Sequence, residues 1–174
     1  MKVNPPAYTP PKTDADEQEQ YLEQQTSSIP QPGKIFIIRD RKSKLLLTLL
    51  NGTVHLHPAG TLGSAYHWTC HERHGWLGFK NIAAGTYLGH GCGGVLQAIA
   101  PHHKGWEYFC TRDVPDGGYV LLMENWGKLW PVQMKPENGL QKLCKADAPV
   151  NHGLVLEFIA VPSLMESEDP AAMG

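Results

Sequence analysis

Histidine and tryptophan are the residues of this chain best suited to chemistry. All nine histidines lie between residues 34 and 161. His55-Leu56-His57 sets two imidazoles on one face of a strand, because side chains alternate with a period of two. Two such rings make half a metal site. No Asp or Glu adjoins them to complete it, so the chain is read as holding no metal, and the pair as a polar, solvent-facing side of a half-buried strand. His67, His71 and His74 bracket another strand, where His71 beside Glu72 and His74 offers general acid/base groups that titrate near neutrality. Gly89-His90-Gly91-Cys92-Gly93-Gly94 is dense in glycine. Such a run can turn backbone N–H groups toward an anion. Neither a lysine nor a helix follows, so a tight turn is the simpler reading. His90 with Cys92 has the composition of a nucleophile pair. His71 and His90 are therefore the catalytic candidates.

Trp126 stands apart from the other tryptophans. It sits at the tip of Asn125-Trp126-Gly127, where equivalent turns carry Lys42-Ser43 and Ala83-Ala84. Nothing periodic makes it core, so it is read as a ligand contact, with His90, His55 and His57. Trp68, Trp76, Trp106 and Trp130 fall in strand-like runs and are expected in the core. Arg39, Arg41, Lys42 and Lys44 gather at the first turn, facing the acidic stretch 14–23, an acidic partner, or solvent.

The elements that must position these groups are short. Ile35-Phe36-Ile37-Ile38, Leu45–Leu50 and Thr53–His57 are apolar runs separated by turn residues, and Asn51-Gly52 is a strong hairpin signal. No stretch keeps a 3.6-residue apolar period over a helix length. Gly33, Gly75 and Gly117 recur at intervals of 42 residues, each before a strand, as do Leu46, Leu88 and Trp130. The expectation is an all-β chain: a β-trefoil of three four-stranded pseudo-repeats of about 42 residues, closed so that no sheet edge is exposed. It would occupy 34–161. Residues 1–33, with Pro5-Pro6, Pro10-Pro11, Pro30 and Pro32, read as a disordered acidic arm, and 162–174 as a disordered acidic tail. A short polar helix fits Asp14–Gln25, with nothing apolar to hold it.

Composition narrows the function. The net charge is −2 and no Lys/Arg stripe runs along any segment, so nucleic acid is not expected as a partner. Cys70, Cys92, Cys110 and Cys144 are widely spaced, which signals neither zinc nor a disulfide framework. The N-terminus has no apolar signal region and no apolar run reaches the ~20 residues of a membrane span. A cytoplasmic protein without membrane contact is expected.

Gly75-Trp76-Leu77-Gly78-Phe79-Lys80-Asn81, Gly85-Thr86-Tyr87-Leu88-Gly89-His90 and Trp106-Glu107-Tyr108-Phe109 together resemble a fascin repeat, and Leu156-Glu157-Phe158-Ile159 repeats its end. The resemblance spans 34–161 and implies a trefoil of the actin cross-linking type. Actin-bundling fascins string four such units together, whereas this chain holds one. Ricin-type lectins carry Gln-x-Trp in each repeat. Here Gln97, Gln133 and Gln141 are followed two places on by Ile99, Lys135 and Leu143. The leading expectation is a non-catalytic module for a protein or small-molecule ligand, using no cofactor. The alternative is a small cofactor-free cyclase or isomerase of specialised metabolism, with His and Trp in a barrel-mouth pocket. Actin or cytoskeleton binding is the third.

Overall fold

A computed structural model describes residues 14–59 and 65–162. It contains one α-helix, α1 (Asp14–Glu23), and twelve strands. The first six are β1 (Ile35–Asp40), β2 (Leu46–Leu50), β3 (Thr53–His57), β4 (His67–Arg73), β5 (Trp76–Asn81) and β6 (Tyr87–His90). The rest are β7 (Leu96–Ala100), β8 (Phe109–Asp113), β9 (Tyr119–Asn125), β10 (Lys128–Glu137), β11 (Leu140–Lys145) and β12 (Val155–Val161). Four hairpins turn on a residue pair with positive φ at both positions: Asn51-Gly52, His74-Gly75, Trp126-Gly127 and Asn138-Gly139. That geometry matches the right-handed twist of paired strands.

All twelve strands belong to one antiparallel sheet. Its path runs β10-β11-β3-β2-β1-β12-β9-β8-β5-β6-β7, and β4 bridges β1 and β5. Pairings of β9 with β10 and of β3 with β7 close it. One circuit of ten strands, β9-β10-β11-β3-β7-β6-β5-β4-β1-β12, returns to its start. The expected trefoil of three four-stranded pseudo-repeats is corrected by this closed barrel. Gly33, Gly75 and Gly117 do share positive φ values of 85°, 83° and 97°. Their 42-residue spacing marks recurring turns, yet it does not divide the sheet. β3 pairs with β7 and β11 as well as β2, and β12 pairs with β1 and β9. The strands are also unequal, from four residues in β6 to ten in β10. A four-strand unit would leave edge N–H and C=O groups open, and strands from elsewhere in the chain satisfy them.

Aromatic rings fill the interior. Phe158 meets Phe36 edge-on at 5.9 Å and Phe79 at 5.6 Å, and Phe79 lies 6.3 Å from Phe109. Trp68 is fully buried, as expected, and its indole N–H donates to the Leu47 carbonyl at 3.0 Å. Cys70 is buried beside it in the same core, its thiol pushed up to about 12 by loss of solvent, which keeps it inert.

Helix α1 has an anchor that its polar sequence did not suggest. Leu22 is buried against Ile37, Leu46 and Ile159. Arg39, for which solvent, an acidic partner and the stretch 14–23 were open, is buried and turned toward that stretch. Its guanidinium donates to the carbonyls of Leu22 and Gln25 and to the Glu157 carboxylate, which also takes the Lys44 ammonium at 2.6 Å. The backbone then follows β12, where Phe158 N–H donates to Ser27 Oγ and Ser28 N–H to the Phe158 carbonyl. Of the arm 1–33 expected to be disordered, 14–33 instead carry α1 and the contacts just given, while 1–13, and 163–174 of the expected tail, lie outside the described residues. No helix among the described residues is long and apolar enough to cross a membrane.

Candidate functional site

A groove of about 500 Å³ lies between β6, β7 and the turn at Lys104–Glu107. The turn is a single 3-10 element, Gly105–Glu107. It closes tightly on β6 because residue 89 is glycine. A Cβ there would come within 2.9 Å of the Trp106 carbonyl oxygen and 3.0 Å of the Glu107 side chain. Trp106 is therefore carried by this turn, outside the strand and core position expected of it, and is 49% exposed.

His90 supports Trp106 from below. The rings stack at 5.7 Å and 30°. His90 is itself buried, with Nδ1 3.0 Å from the Gly91 carbonyl and Nε2 3.0 Å from the Glu124 carbonyl. A neutral imidazole donates to one such oxygen and an imidazolium to both. Both ring nitrogens thus face backbone carbonyls, and the neutral ring donates to one of them. Its place is in the groove, as a support for the indole.

Glu107 is the groove's buried carboxyl. Burial pushes its pKa up, opposed by the Lys104 backbone N–H and by the charges of His90 and Lys104. Gln97 and the exposed Ile99 stand across from it on β7.

A second groove, of about 350 Å³, opens on the other side of the same turn. Gly105 lines both. Here Trp76 stacks on Tyr108 at 5.8 Å, nearly parallel at 4°. Leu129, Glu124 and Lys128 complete the walls with Gly127. Trp126, the neighbour of Gly127, is 92% exposed with φ 55°.

One buried imidazole joins the two grooves. His103 stacks on Tyr87 of the first at 5.3 Å and meets Tyr108 of the second edge-on at 5.1 Å. Burial pushes its pKa down, against hydrogen bonds to the Leu77 and Glu107 backbone. It fits because residue 78 is glycine, where a Cβ would sit 2.5 Å from its Nε2.

The other sequence candidates lie elsewhere. His71 packs behind the first groove, edge-on to Tyr87 at 5.6 Å, its pKa lowered by burial and then by Lys80. His55 and His57 line neither groove. His55 is buried, not solvent-facing, 5.8 Å from the His57 ring, and its pKa is lowered by burial, His57 and Lys142. Among the described residues, no three His, Cys, Asp or Glu side chains come together to hold a metal. Sequence reasoning missed Trp106, Glu107, Tyr108 and His103 as site residues. The one available signal was Lys104-Gly105, a break just ahead of three residues assigned to a strand.

No family model matches the chain, and neither does any curated protein. Solved structures do match. One is a GlcNAcα1-4Gal-releasing endo-β-galactosidase from Clostridium perfringens, at 20% identity and a TM-score of 0.62, over 75% of this chain and 33% of that one. A GH43 β-1,3-galactosidase matches at 14% identity and a TM-score of 0.60, over 78% of this chain and 28% of that one. Cry35Ab1 matches at 10% identity and a TM-score of 0.64, over 80% of this chain and 39% of that one. The chain thus spans about a third of the length of the proteins it is similar to. The likeness is one of fold. It corrects the fascin resemblance, and with it the basis for an actin partner. The string Gly75–Asn81 and its echoes are core patterns that a closed antiparallel barrel uses without being a fascin.

Proposed function

We propose that this chain is a non-catalytic binding module that holds a saccharide in the groove beside Trp106. A sugar ring has an apolar C–H face and a rim of hydroxyls. A half-exposed indole offers a flat platform to the first, while Gln97, Lys104 and Glu107 offer donors and acceptors to the second. The observation that carries the reading is the way Trp106 is held. His90 stacks on the ring from below and is itself buried, with a hydrogen bond to a backbone carbonyl, so little freedom is lost on binding. Two of the similar proteins are galactosidases by name, which makes a galactoside the first ligand to try. The test is a titration of the full chain with galactose and lactose, followed by NMR and Trp fluorescence. Saturable binding lost in Trp106→Ala is expected. No response to either sugar, or an affinity unchanged in Trp106→Ala, refutes the reading.

Glu107 favours a second reading, a cofactor-free cyclase or isomerase. Its carboxyl is buried beside an apolar groove and is biased toward the protonated form. A carboxyl whose pKa is raised by burial is better suited to act as a general acid than an exposed one. Turnover abolished in Glu107→Gln with ligand binding retained would select this reading over the first.

A further inference from the structure

We infer that the ligand is an oligosaccharide lying across both grooves, over a saddle at Gly105. The inference rests on the saccharide reading of the Trp106 groove and extends it. The two grooves repeat one chemistry. The first combines Trp106 with Glu107 and Lys104, and the second combines the Trp76–Tyr108 stack with Glu124 and Lys128. A single small ligand would use one of these sets. A chain of sugars, with an apolar face and a hydroxyl rim recurring along it, uses both.

The saddle between them is open. A Cβ built on Gly105 meets no atom within 4 Å. A larger residue would stand between the two grooves, both of which Gly105 lines. The grooves are also fixed relative to each other. His103 is wedged between Tyr87 and Tyr108, one ring from each groove. His90, under Trp106, sits with Nε2 3.0 Å from the carbonyl oxygen of Glu124, a wall of the second groove. Two subsites held at a fixed separation bind a ligand of matching length more tightly than either binds alone.

The experiment compares galactose, β-1,3-galactobiose and β-1,3-galactotriose by calorimetry on the full chain. The trisaccharide should bind roughly 10-fold or more tightly than the monosaccharide. In Gly105→Leu, at a position that has room for a side chain and needs no special backbone angle, that advantage should vanish. Leu129→Ala, which alters only the second groove, should reduce the trisaccharide affinity alone. Equal affinities for the three sugars in the unaltered chain, or a length advantage that survives both substitutions, overturn the two-groove ligand and leave the Trp106 site standing. Absence of binding by all three sugars overturns both.

Discussion

Trp126→Asn should stabilise the protein. Trp126 is the first central residue of the β9–β10 turn, at φ 55°, and its indole is 92% exposed. A side chain in that left-handed region costs about 1–2 kcal/mol for an ordinary L-residue, and Asn is among the few that visit it readily. Asn-Gly is also a preferred pair for this turn. Replacing an exposed indole forfeits little buried area, so relief of backbone strain dominates. A gain of about 0.5–1 kcal/mol corresponds to roughly 1–4 °C in Tm for a chain of this size. The Gly127 N–H, which donates to Glu124 Oε1 at 2.6 Å, is untouched. Thermal unfolding of the full chain, followed by circular dichroism and calorimetry, measures the shift. Trp126→Ala is the control, because Ala keeps the strain and should move Tm little. A fall in Tm on Trp126→Asn would refute the reasoning, since it would mean that the indole is packed and not solvated. If Trp126 touches ligand, the same variant should bind galactotriose a few-fold more weakly while being more stable.

Two further outcomes follow from buried charge. Arg39→Ala leaves Glu157 with Lys44 alone and the Leu22 and Gln25 carbonyls without their donor, at a cost of about 1–3 kcal/mol. A lower urea midpoint and faster proteolysis within 14–28 should report it. His55, His67, His71 and His103 all have pKa values lowered chiefly by burial. The unfolded chain takes up protons at these sites below ~6.5, before the folded chain does. Their contribution is thus fully present above that pH and is lost as pH falls through the lowered folded values. Glu107, raised by burial, acts in the opposite sense as pH falls toward the carboxylate range. Urea unfolding at pH 7.5 and pH 5.5 should show the higher stability at pH 7.5, and an equal or reversed pair of midpoints would contradict the assignment.

The class of fold was legible because strands and turns are local. The run Ile35–Ile38 becomes β1, and Asn51-Gly52 becomes a hairpin with both residues at positive φ. The closure of the sheet was not legible. It depends on partners such as Arg39 and Glu157, 118 positions apart, whose pairing leaves no mark in either local segment. The fascin-like strings misled for a related reason, since an alternation that suits one buried strand pair suits many barrels. Trp106 was misplaced because an aromatic run reads as strand, and only the contact of Gly89 with residues 106 and 107 reveals the turn. His103 has no apolar periodicity around it, and the glycine that accommodates it lies 25 positions earlier on another strand. Leu22 was lost among polar neighbours because one apolar residue does not make a stripe.

The pairing of β1 with β12 has a consequence for how such a barrel is used. Ile35 lies opposite Val161, so the chain enters and leaves the barrel on adjacent antiparallel strands. Neighbouring strands are about 5 Å apart, a gap that any surface loop of another protein can span. A barrel with that layout can be spliced into a host as a cassette, displacing neither flank and presenting no sheet edge for the host to pair with.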